Sequence, residues 1–216
     1  MGPDDIEIRA VACLVEKQRT TPDAYPLTLN SLRLACNQST NRDPVVDYDE
    51  STVRAAANRL TERGWATLAS WSNRRSMKYR HTLDRALGLS DAELAVLTVL
   101  MLRGPQTPGE LKQRAERMHP FASLDEVETT LRSLTGRELV AQLPRRPGQR
   151  EDRFRHLLGE EQQLGADSAQ PAQEPEPGTA SEPDTASEPE RDDRLARLEA
   201  EVASLRRELD ALKQGA

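Results

Sequence analysis

One internal repeat limits what this chain can fold into. Val53, Leu60, Arg63 and Trp65 recur as Val127, Leu134, Arg137 and Leu139, at a constant offset of 74. Tyr79-Arg80-His81 recurs as Phe154-Arg155-His156, at an offset of 75. Each copy reads as a helix with an apolar stripe (Val53, Ala56, Ala57 and Leu60 in the first), followed by two short alternating segments around a polar tip. Self-similarity held through helix, turn and hairpin marks two copies of one supersecondary unit.

The flanking segments complete the unit. Residues 6–19 place Ile8, Val11, Leu14 and Val15 on one helical face, and Thr20-Thr21-Pro22-Asp23 breaks the pattern. A second helix is expected over 27–37. Asp49 is positioned to cap the third, and Gly64 to end it. Hairpin strands are expected over 65–71 and 77–83. In the second copy Ser90-Asp91-Ala92-Glu93 and Ser123 with Glu126 read as capping boxes. They open helices over 91–103 and from 123, with another over 108–118 between them. Aligning Thr21-Pro22 with Thr107-Pro108 at an offset of 86 gives the first copy 12 extra residues before its third helix, shared between the DAYPLT lead-in and the long polar connection. Three helices and a hairpin, twice over, predict a mainly helical chain with small β wings: two tandem winged-helix domains at 1–85 and 86–158.

The remainder reads differently. Residues 159–190 are rich in Pro, Glu, Ala and Ser, contain TASEPD-TASEPE, and are expected to form a disordered acidic linker. Over 191–214, Leu195, Leu198, Val202, Leu205, Leu209 and Leu212 step by 3 and 4. Their flanking charges are complementary, which predicts a coiled-coil helix and a homodimer. This tail carries the acidity: residues 161–216 hold 6 Lys/Arg against 14 Asp/Glu, whereas 1–160 hold 24 against 22.

No catalytic constellation is legible, and no metal ligand set or cofactor motif; a non-enzyme is the expectation. His81 and His156 share a repeat position and read as structural. Cys13 and Cys36 sit in apolar helical patterns and read as reduced core thiols of a cytoplasmic protein. The apolar run at 94–102 is too short for a membrane span and fits a buried helix.

Double-stranded DNA is the favoured partner. From 63 to 83 there are five basic residues and no acid, as phosphate contact requires. The third helix offers Arg54, Asn58 and Arg59 to base edges, and the wing offers Arg74, Arg75, Lys78 and Arg80 to the backbone. The alternative is a protein–protein scaffold. The polar connection at 37–44 either folds onto itself or serves as a contact surface through Asn37, Asn41, Arg42 and Asp43.

The stretches EKQRTTPDAYPLTLNSLRLACNQSTNRDPV and RGPQTPGELKQRAERMHPF resemble the YceH-like family of uncharacterised bacterial proteins, over about residues 6–158. The resemblance implies a tandem winged-helix fold, marks 37–44 as typical of the group, and supplies no function.

Overall fold

Two copies of the repeat pack back to back through their first helices. The computed structural model describes residues 2–69, 77–145 and 151–159. These lie in one compact unit, Met1–Ala169. The described residues form seven α-helices: α1 Asp5–Thr20, α2 Leu29–Cys36, α3 Glu50–Glu62, α4 Leu83–Leu87, α5 Asp91–Arg103, α6 Pro108–Ala115 and α7 Leu124–Gly136. Two small antiparallel sheets accompany them. β1 Leu27–Thr28, β2 Ala66–Ala69 and β3 Lys78–His81 stand in the order β1-β3-β2, and β4 Val140–Leu143 pairs with β5 Arg153–His156. The linker and heptad segment fall outside the described residues, as do Arg74 and Arg75.

Helix α1 is buried all round from Glu7 to Val15, not along a single stripe. It packs on α2 and α3 of its own copy and on α5 of the other. Packing on several sides also buries Ala10 and Ala12, which a one-face reading leaves outside, while Cys13 turns towards the Ala35 carbonyl of α2. Helix α5 is buried from Glu93 to Met101 and Leu102, so the apolar run there is a core helix. Apolar residues of both copies join one continuous core.

The repeat is reproduced bond for bond. The Trp65 N–H donates to the Leu60 carbonyl, as Leu139 does to Leu134, and Thr82 donates to Trp65 as Leu157 does to Leu139. Leu27 of β1 pairs with Tyr79, and its counterpart Gln106 bridges Phe154. The first helices open on equivalent caps, Asp4 with Glu7 and Ser90 with Glu93, both reciprocal.

Several boundaries differ from the sequence reading. Leu27 and Thr28 are strand, because they pair with β3; α2 starts after them, with Thr28 as N-cap. The counterpart of Thr107, the N-cap of α6, is therefore Thr28 at an offset of 79 and not Thr21, which precedes a 3₁₀ turn, Pro22–Ala24. The extra residues are nevertheless split as expected, partly before α2 and partly in the connection from α2 to α3. Helix α6 stops at Ala115 rather than Met118. The strands are shorter than expected, and β3 gives way at Thr82 to α4, which Gly88 ends in the left-handed region (φ 60°). At Ser123 the box is one-sided: its hydroxyl accepts from Glu126 N–H, but the Glu126 carboxylate accepts from Ala122 N–H.

Candidate functional site

The exposed face of α3 and the outer face of the β2–β3 hairpin form the first candidate. Asp49 accepts from Thr52 N–H and caps α3, and Val53, Ala56, Ala57 and Leu60 are buried, which turns Arg54 and Asn58 to solvent. Arg54 forms a 2.5 Å ion pair with Glu50. Both partners are half exposed or more, so the pair is weak. In the hairpin, Thr67 faces Arg80 and Ala69 faces Lys78, while Tyr79 and His81 point into the core. Arg80 is exposed and Lys78 half-buried, and neither makes an ion pair among the described residues.

Two expected contributors are engaged elsewhere. Arg59 bonds to Asp4 at 2.5 Å and to Glu7 at 3.1 Å. Arg63 reaches Glu7 at 3.5 Å and the Gly2 carbonyl at 3.2 Å, with its guanidinium 5.8 Å from the Trp65 ring centre. Glu7 is almost fully buried, so its bonds to Arg59 and Arg63 are part-buried charge-assisted links between α1 and the end of α3, whereas the Arg59–Asp4 pair is exposed. The second copy repeats the device. Glu93 accepts from Ser133, the counterpart of Arg59, at 2.8 Å, and from Arg137, the counterpart of Arg63, at 3.3 Å. Arg63 and Arg137 recur because each neutralises the capping glutamate of its own first helix. The repeat itself was the available signal, but a basic residue beside a basic wing reads more readily as surface.

The connection from α2 to α3 is a strap held from below. Asn37 accepts from Tyr48 N–H at 2.9 Å and donates to the Tyr48 carbonyl at 2.8 Å. Arg9, buried on α1, donates to the Pro44 carbonyl at 2.7 Å. The Asp43 N–H donates to the Leu102 carbonyl at 2.9 Å, and Arg103 to the Asn41 side chain. Arg42 is the centre of the strap and is not an outward-reaching residue. Its side chain has no exposed area and donates to Glu16 through both terminal nitrogens, to the Ala35 and Asn41 carbonyls and to Gln38. A guanidinium surrounded by five acceptors is pinned inside, so Arg42 is withdrawn from the contact surface. Asn37 and Asn41 likewise spend their side chains on the strap, although Asn41 and Asp43 remain exposed.

The two copies diverge at the matching positions. Arg54 and Asn58 correspond to Glu128 and Arg132, and Lys78 to Arg153, which is tied to Glu110 at 3.4 Å and to the Pro105 carbonyl at 3.0 Å. Arg145 is paired with Asp152 across the second hairpin. Between α6, α7 and that hairpin lies an open cleft of about 510 Å³ with Leu124, Leu131 and Phe154 among its lining residues and Glu128 and Arg132 beside them.

The two buried histidines have strongly depressed pKa values. Burial drives His81 down to about 4, against the opposing charge of Asp84, with Arg19 and Arg80 adding to the depression. Burial, with a contribution from Arg155, brings His156 to about 4 as well. Among the described residues no group of three or more His, Cys, Asp or Glu side chains could hold a metal ion, and no helix is long and apolar enough to cross a membrane.

Residues 4–149 match the family model described as "Protein of unknown function, DUF480". The chain belongs to this family. It is 48% identical over 206 residues to the UPF0502 protein GSU0233 of Geobacter sulfurreducens, covering 94% of this chain and 89% of that one. It is 46% identical to a UPF0502 protein of Shewanella amazonensis, over 97% of this chain and 96% of the relative. A UPF0502 protein of Opitutus terrae is 46% identical over 171 residues, 78% of this chain and 74% of the relative. The family expected from the two quoted stretches is thus the one found. Similarity covering 97% of the chain also runs beyond residues 6–158, into the region that the sequence reading left outside the resemblance.

Proposed function

We propose that the chain is a winged-helix DNA-binding protein of transcription-regulator type, acting through its first copy and dimerised by the heptads of 191–214. The observation that carries this reading is the outer face of the β2–β3 hairpin. Arg80 and Lys78 project from it without ion-pair partners among the described residues, and the sequence from 63 to 83 holds no acid to oppose them. A phosphate backbone needs such a face, because each neutralised phosphate releases counterions. Asn58 and Arg54 on α3 supply the side chains suited to adenine and guanine edges. Arg59 and Arg63 support the surface from behind instead of touching DNA.

Fluorescence anisotropy of a labelled duplex of about 30 base pairs tests this. Affinity should fall steeply as salt rises from 50 to 200 mM. Lys78→Ala/Arg80→Ala should weaken binding about 10- to 100-fold and lower the salt slope by about two. Absence of salt-dependent binding at 50 mM, or an unchanged slope in the variant, would overturn the reading.

A second reading, a protein-binding scaffold, is favoured by the cleft of the second copy, where exposed Leu124 stands beside Leu131 and Phe154. Leu124→Glu should then abolish capture of a protein partner while leaving DNA affinity unchanged.

A further inference from the structure

Cys13 and Cys36 meet where α1 packs on the end of α2. The Cys13 Sγ lies 3.3 Å from the carbonyl oxygen of Ala35, the residue directly before Cys36. Both thiols are free and wholly buried. The same Ala35 carbonyl accepts from Arg42 Nε at 3.1 Å, so the guanidinium stands beside the sulfur pair. Cys36 is the last residue of α2, and Asn37 begins the strap that Arg42 latches to Glu16.

We propose that Cys13 and Cys36 are a redox site that takes a hydroperoxide as its two-electron oxidant and closes an intramolecular disulfide between α1 and the base of the strap. Cys13 is the attacking sulfur and Cys36 the resolving one. Burial raises the Cys13 thiol, but a hydrogen bond from Cys36 and the charges of Arg42 and Arg9 outweigh it even against Glu16, and the net direction is down. Cys36 is driven up, first by its bond to Cys13 and then by burial, so it keeps the proton that the second step needs. In the resting pair the Cys13 S–H donates to Ala35; once deprotonated, Cys13 accepts from Cys36.

The chemistry balances without another reagent. With hydrogen peroxide, the Cys13 thiolate attacks one peroxide oxygen, the O–O bond breaks, and the departing hydroxide takes up the Cys13 proton to leave as water, giving a sulfenic acid; with an organic hydroperoxide the terminal oxygen is attacked and an alcohol leaves in place of that water. The Cys36 sulfur attacks the Cys13 sulfur, the S–O bond breaks, and the Cys36 proton leaves with the second water. Two thiols lose two electrons to one peroxide and become one disulfide. Because both thiols are buried, access requires the strap to open, and Ser39, Thr40 and Asn41 are its solvent-exposed residues beside Cys36 and Asn37. The disulfide would join residues 23 positions apart in the sequence and fix the strap's starting point on α1.

The full chain is treated with 1 mM hydrogen peroxide under native conditions, then analysed by intact mass and by thiol counting after unfolding. The expected product is a monomeric chain about 2 Da lighter with no countable thiols. It should melt at least about 3 °C higher than the reduced protein, and dithiothreitol should reverse the change. In Cys36→Ser, dimedone should trap one sulfenic acid at Cys13; in Cys13→Ser, Cys36 should stay unmodified. Two thiols still countable after an hour would overturn the proposal. So would oxygenated products without the disulfide, or a Cys13→Ser protein oxidised as fast as wild type. Circular dichroism on the serine variants confirms that they are folded when tested.

Discussion

Replacing Arg42 by Met keeps most of the stem in the interior and removes only the charged fork. The guanidinium is fully buried, and its partner Glu16 has a side chain only 15% exposed. The change strands a carboxylate that has lost two charge-assisted bonds and leaves Ala35, Asn41 and Gln38 each short of a donor. Breaking one side of a buried pair costs about 3–5 kcal/mol. Lys17, 3.9 Å from Glu16, offers partial relief, which favours the lower end, about 3 kcal/mol. For a folded region of this size that corresponds to a drop in Tm of about 6–12 °C. Urea denaturation followed by circular dichroism at 222 nm measures it. The companion variant Glu16→Gln/Arg42→Met removes both charges and should recover about 1–2 kcal/mol of the loss. A single-variant cost below about 1 kcal/mol, or a double-variant cost equal to the sum of the singles, would show that Arg42 is not the latch of the strap.

Four further outcomes are expected. His81 and His156 bind protons less readily folded than unfolded, so stability is lost as pH falls from about 6.5 towards 4. Between pH 6.5 and 5 each should cost about 2 kcal/mol, and chemical denaturation of His81→Phe and His156→Phe should show a correspondingly flatter pH profile. Glu138, the counterpart of Gly64, is held at φ 56° where Gly64 has φ 76°. Glu138→Gly should therefore stabilise the fold by about 0.5–1 kcal/mol by thermal melting. Gly64→Ala should destabilise it by about 1 kcal/mol through dihedral strain alone, since nothing lies within 4 Å of an added Cβ. Asp4→Asn/Glu7→Gln should remove two acids beside α3 and raise duplex affinity about 10-fold at 50 mM salt; unchanged affinity would show that α3 does not face the nucleic acid.

Most of the local architecture was legible in the residues. Asp49, Ser90 and Ser123 announce their helices because a side-chain oxygen must meet a free N–H at each start. The offset of 74 from α3 to α7 carries through to β2 and β4 because the turn at Gly64 and Glu138 has one length in both copies. Side-chain destinations were less legible, because periodicity describes an element alone and not what packs on its far side. Arg42 looked like a residue of an exposed loop until Glu16 received it. Leu27 and Thr28 continue a helical apolar pattern, yet pairing with Tyr79 and Lys78 makes them strand.

By itself, then, the chain's order of residues determined the paired units, their caps and turns, and the charge contrast between α3 with its hairpin and the second copy. These follow from contacts within a few residues or from composition. Only the tertiary structure decided which cations face solvent. Arg42, Arg59 and Arg63 are drawn to Glu16, Asp4 and Glu7, and Arg54 pairs weakly with Glu50, while Arg80 and Lys78 remain unpaired among the described residues. The reason is electrostatic: a buried carboxylate must recruit a cation, and which arginine lies within reach depends on how α1 crosses α3 and the strap.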